Sequence, residues 1–104
     1  MRVVAITACP TGIAHTYMAA DKLTDTAKKL GITIKVETQG AMGIENRLTE
    51  QDVQRADVVV MATDINIEHS DRFNNKKCLK VNIQDALQQP KRIFSQCKQL
   101  LAHQ

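Results

Sequence analysis

The sequence predicts an α/β domain: a small parallel sheet with helices on both faces, stacked as a three-layer α/β/α sandwich. Three observations carry that prediction. Apolar, β-branched runs alternate along the chain with segments of helical period. Glycines, a proline and polar clusters fall between them, where turns belong. The first strand-like run, Arg2–Thr7, is apolar on both faces, as a strand covered on each side must be.

"RVVAIT" (Arg2–Thr7) is the first such strand. After it, Ile13, Tyr17, Ala20, Thr24 and Ala27 recur at helical spacing, Lys28 and Lys29 suit the negative end of that helix, and Gly31 supplies its C-cap. "ITIKVET" (Ile32–Thr38) is a second strand. "QGAMGIENRL" (39–48) has glycines at 40 and 43 and no period, so it reads as a loop. Thr49 and Asp52 have the spacing of a capping box, and a short helix to about Arg55 follows. "DVVVMAT" (Asp57–Thr63) is the central strand. A polar loop (64–77) leads to the short strand "CLKV", whose lysine suits a sheet edge. Pro90 opens a last helix in which Ile93, Cys97, Leu100 and Leu101 share one face. The βαβαβ(loop)βα order implies parallel pairing.

At 104 residues the chain reads as one domain over residues 1–104, and Met1 directly before the first strand favours a free-standing subunit. Hydrophobic residues at 43% and charged ones at 24% exclude a disordered chain. A net charge of +3 with aromatics at only Tyr17, Phe73 and Phe94 argues against nucleic-acid binding. No apolar run approaches the ~20 residues of a membrane span, so no direct membrane insertion is expected. Three cysteines, odd in number and without C-x-x-C spacing, argue against a disulfide framework or a metal site and place the chain in the cytoplasm. No cofactor is expected.

In open parallel sheets, ligands bind beyond the carboxyl ends of the strands. Three loops meet there, and the first contains Cys9, where strand passes into helix through Pro-Thr-Gly. A loop entering a helix offers unpaired N–H groups and the positive end of a dipole, which bind phosphate and favour thiolate over thiol. Gly12 allows close backbone approach, Pro10 stiffens the turn, and Thr11 and Thr16 bring hydroxyls. This is a phosphate-binding loop spanning Pro10, Thr11, Gly12, Ile13, Ala14, His15 and Thr16, with Cys9 as nucleophile. His15 either bonds the phosphoryl group or orients the loop. Gln39, Gly40, Asp64 and Arg72 lie past strand ends and are candidates for loop or partner contacts. Cys78 and Cys97 read as core or interface residues, and His69 and His103 as solvated.

The frame separates several kinds of phosphate loop. Low-molecular-weight tyrosine phosphatases carry C-x-x-x-x-x-R before Ser or Thr; here His15 stands in place of that arginine and its bidentate clamp. A flavodoxin loop is only faintly echoed, and G-x-G-x-x-G is absent. By contrast, "ACPTGIAHTYMAA", "VETQGAMGIENRLT" (Val36–Thr49), "ADVVVMATDI" (Ala56–Ile65) and Arg72–Phe73 closely resemble the fructose-type enzyme IIB domains of the bacterial phosphoenolpyruvate-dependent sugar phosphotransferase system.

The resemblance implies a four-stranded parallel sheet with helices on both faces. It implies that Cys9 accepts phosphate from a phosphohistidine on a IIA protein or domain and passes it to a fructose-like sugar imported by a membrane-embedded IIC partner. The domain would then sit in the cytoplasm, held peripherally at the membrane through IIC. Two alternatives are a cysteine-dependent phosphatase and a non-catalytic module that senses phosphate.

Overall fold

Strand β1 (Arg2–Ala8) buries every residue after Arg2 and lies at the centre of the sheet. The computed structural model describes residues 1–10, 13–41 and 43–102. After β1 come α1 (Ile13–Lys29), β2 (Thr33–Gly40), β3 (Gly43–Glu45), α2 (Glu50–Arg55) and β4 (Val58–Thr63). A 3₁₀ turn (Ser70–Phe73), β5 (Cys78–Val81), α3 (Ile83–Gln88) and α4 (Pro90–Ala102) complete the chain. The sheet order is β3-β2-β1-β4-β5, and every pairing is parallel except that of β3 with β2.

Alternation along the strands divides the core into two layers. Val3, Ala5, Val36, Val58 and Val60 pack beneath α1, α3 and α4, against Leu23, Ala27, Ile83, Ile93, Phe94 and Cys97. Val4, Ile6, Val59 and Met61 pack on the other face against Leu48, Val53 and Phe73, from α2 and the irregular segments beside it. The three-layer α/β/α class therefore holds.

The strand count needs correction: the sheet has five strands and is mixed, not four and purely parallel. The stretch expected as a loop after Thr38 continues β2 to Gly40 and folds back as β3. Three residues are too few to display a strand period, so β3 is held by its partner rather than by its own pattern. It ends at Asn46, whose φ of 52° lies in the left-handed region and whose side-chain amide donates to the Val36 carbonyl at 2.9 Å. The sequence reading also passed over α3, a short helix capped by Asn82 and Asp85 through the same box that Thr49 and Asp52 make for α2.

Helix α1 is turned relative to the expected face. Thr16, Ala19, Leu23, Thr26 and Ala27 are buried, whereas Thr24 is exposed and bonds back to the Ala20 carbonyl. Alanines and threonines at the contact let α1 lie close to the sheet. Gly31 ends it at φ 71°, the left-handed C-cap that its position suggested. β5 is an edge strand with Lys80 exposed. In α4, Ile93 and Cys97 are buried as expected, joined by Phe94.

Candidate active site

The three central strands finish in register. Ala8 of β1 pairs with Gln39 of β2 on one side and with Thr63 of β4 on the other. Cys9 follows at once, its side chain on the α1 side, where it joins the apolar cluster and is 9% exposed. One residue before it, the Thr7 hydroxyl donates to the Thr16 carbonyl at 3.0 Å and ties β1 to the start of α1. Thr16 is itself buried, and among the described residues nothing hydrogen-bonds to its Oγ1.

Cys9 and Pro10 border a cleft of about 400 Å³. Gln39, Gly40, Ala41, Gly43 and Ile44 form one wall of it, from β2 and β3; Ile65, Asn66 and Glu68, beyond β4, form another. Larger clefts between β5 and α4 (about 560 Å³) and beside α2 (about 600 Å³) include neither Cys9 nor a strand's carboxyl end beside it.

The expected site residues separate into four groups. Cys9, Pro10, Gln39 and Gly40 come together at the cleft. Ala14 and His15 are exposed on the first turn of α1, which begins at Ile13. Thr11, Gly12 and, at the far end of the chain, His103 lie outside the described residues. Asp64 and Arg72 are engaged elsewhere. The Asp64 carboxylate accepts the Ile83 N–H at 3.3 Å and so holds the start of α3. Arg72 gives both terminal nitrogens to Glu37 at 2.9 Å each, and its Nε donates to the His69 carbonyl at 2.8 Å. The Arg72 guanidinium is thus committed to a fully buried carboxylate and to the loop carbonyl of His69.

Glu37 is the residue the sequence reading undervalued. Besides Arg72, it accepts from Gln39 Nε2 at 2.8 Å and from the Leu48 N–H at 2.8 Å. Burial pushes its carboxyl pKa up, but the bonds from Arg72, Gln39 and Leu48, with the charge of Arg72, outweigh that and hold it below the ordinary value. The available signal was alternation: "VETQG" puts 37 and 39 on one face of a strand whose residues 36–39 are buried, where a carboxylate needs a partner.

The other two cysteines behave as core thiols. Cys97 is fully buried and burial raises it to about 11; burial also raises Cys78, opposed by the charge of Lys80. No disulfide joins any of the three. No helix among the described residues is long and apolar enough to cross a membrane.

Fold and site together define a doubly wound α/β domain with a thiol at the carboxyl end of its first strand, beside the start of the first helix and over a cleft. Comparison with known proteins narrows the class. The family described as "PTS system, Lactose/Cellobiose specific IIB subunit" matches residues 4–96. The "PTS system fructose-like EIIB component 2" of Escherichia coli (strain K12) is 48% identical over 101 residues, covering 97% of this chain and 95% of that relative. The "PTS system fructose-specific EIIABC component" of Bacillus subtilis (strain 168) is 44% identical over 93 residues, 89% of this chain but 14% of that longer protein. A crystal structure of a domain from a fructose-specific IIABC component of Borrelia burgdorferi superposes with a TM-score of 0.87 at 46% identity, covering 92% and 91% of the two chains. The chain belongs to the fructose-like enzyme IIB family of the sugar phosphotransferase system, whose members are phosphotransferase subunits.

Proposed function

We propose that the protein carries a phosphoryl group as a phosphocysteine at Cys9 between a IIA donor and an imported fructose-like sugar. The observation that carries this reading is the placement of Cys9, between the end of β1 and the start of α1, on the border of the cleft. In the first step the Cys9 thiolate attacks the phosphorus of a phosphohistidine on IIA. The P–S bond forms, the P–N bond breaks, and the histidine ring takes a proton. In the second, a sugar hydroxyl attacks the same phosphorus; the P–O bond forms, the P–S bond breaks, and the hydroxyl proton is released as the thiolate is restored.

The residues from Pro10 to Thr16 frame the phosphoryl group. Backbone N–H groups at the head of a 17-residue helix suit its charge in the transition state. The absence of an arginine at position 15 removes the clamp on which cysteine phosphatases depend, which favours a carrier over a hydrolase. The EIIABC name of the Bacillus relative supports IIA and IIC as partners, and a position at the inner face of the membrane through IIC.

Incubation with a histidine-phosphorylated IIA domain, followed by intact mass, is the test. A lasting one-phosphate adduct lost in Cys9→Ser supports the carrier. Release of inorganic phosphate points to a phosphatase, and absence of adduct and turnover to a sensing module.

A further inference from the structure

Gln39 borders the Cys9 cleft, yet its side-chain amide has no N–H to offer a phosphoryl group. Nε2 donates to Glu37 Oε2 at 2.8 Å and to the Glu68 carbonyl at 3.1 Å, while Oε1 accepts the Glu68 N–H at 2.8 Å. A primary amide has two N–H donors, so both are used. Gln39 thus pairs with the backbone of Glu68 on both its N–H and its carbonyl, much as another strand would. The next residue, His69, is held by Arg72 Nε and sits at φ 61°, a left-handed conformation that needs outside support in a non-glycine residue. Gln39 and Arg72 both rest on the buried Glu37. One fully buried carboxylate therefore orients two side chains that grip consecutive residues of the segment whose Ile65, Asn66 and Glu68 face Cys9 across the cleft.

We propose that Glu37, Gln39 and Arg72 are positioning residues for phosphoryl transfer, acting by fixing the wall at residues 65–68 against which the phosphoryl donor meets Cys9. The proposal rests on Cys9 being the acceptor. It explains why a glutamine stands at 39. A glutamate would turn a carboxylate onto that of Glu37, and an apolar side chain would leave the Glu68 backbone groups without their partner. Fixing the wall matters because a transfer between two proteins depends on approach geometry, and misplacement of about 1 Å can cost roughly a hundredfold in rate.

The test is Gln39→Met in the full chain, with Gln39→Asn as a milder variant should the first not fold. Three quantities are read: hydrogen exchange at the Glu68 amide, steady-state phosphoryl acceptance from a histidine-phosphorylated IIA domain, and thermal stability. Asp52→Ala serves as the control. It breaks the α2 cap and the Lys35 pair at 2.7 Å, and touches no residue of the wall. The expected result is loss of protection at Glu68 with β1 and β4 amides still protected, and a fall in kcat/KM of roughly tenfold or more. Asp52→Ala, compared at an equal loss of stability, keeps transfer near wild type. Three results would overturn the proposal: Glu68 still protected in the variant, transfer near wild type despite lost protection, or an equal loss of transfer in Asp52→Ala. Failure of the Cys9 reading is separately visible: the wild-type chain would then form no lasting adduct, or Cys9→Ser would still form one.

Discussion

Each carboxylate oxygen of Glu37 lies 2.9 Å from a different terminal nitrogen of Arg72, a residue 35 positions further along the chain. Glu37 is fully buried in β2, and Arg72 stacks its guanidinium over the Phe73 ring at 4.7 Å. The pair is bidentate and carries two further bonds on its acidic side, the geometry in which a buried ion pair is fully satisfied. Breaking it by removing the arginine leaves a buried charge without its counterion. Arg72→Met is therefore expected to cost about 3 kcal/mol in urea unfolding; a change within ~0.5 kcal/mol would show that Arg72 is a surface residue in solution.

The same pair sets part of the acid sensitivity. The Glu37 pKa is lower folded than unfolded, so the unfolded chain binds more protons as pH falls. Its contribution is complete above the unfolded value of ~4.3 and is lost as pH drops through the folded one. Asp52 acts in the same direction, held down to about 2 by Lys35 and by the Thr49 N–H. The stability difference between wild type and Glu37→Gln should be largest near neutral pH and shrink below ~4.3, as the wild-type carboxyl becomes neutral too. A difference constant down to pH 3 would contradict this.

Thiol labelling distinguishes the three cysteines. With its pKa raised to about 11, Cys97 is a thiolate in roughly one molecule in ten thousand at neutral pH, and it is buried. Cys78 is half-buried and also raised. Iodoacetamide on the folded protein is expected to modify Cys9, at the cleft, ahead of both, with inorganic phosphate slowing it. Equal labelling of all three in folded protein would remove the distinction. Cys78→Ser and Cys97→Ser should keep phosphoryl transfer, and Cys97→Ser should lose about 1–3 kcal/mol of stability from a buried hydroxyl.

Tyr17 is the chain's one tyrosine, which makes its titration readable by ultraviolet absorbance. Its hydroxyl donates to Glu45 Oε1 at 2.5 Å, joining α1 to β3, and that bond to a carboxylate raises its pKa above the ordinary 10.0. Phenolate should therefore appear at higher pH than in an unfolded control, and Glu45→Gln should bring the midpoint down. An unchanged midpoint in Glu45→Gln would mean that β3 does not engage α1.

Local chemistry made much of this protein legible. The β-branched, apolar runs of Arg2–Thr7 and Asp57–Thr63 and the alternation of Ile32–Thr38 reveal three central strands, because a strand's burial is written into near-neighbour residues. The Thr49–Asp52 box and Gly31 mark helix ends because caps are made by near neighbours. Cys9, standing where strand meets helix, and the motifs around it marked the candidate site and the family. What the tertiary structure decided is what depends on distant partners. β3 exists because β2 is beside it; three residues have no period of their own. Helix α1 turned its small side chains inward because close packing on the sheet outweighs the apolar stripe that spacing suggested. Arg72 and Gln39 were visible as polar residues past strand ends. Their orientation toward Glu37 and Glu68, across 35 and 29 positions of sequence, arises only when the carboxyl end of β2 and the segment after β4 meet, because a buried carboxylate takes whichever donors the fold brings within reach.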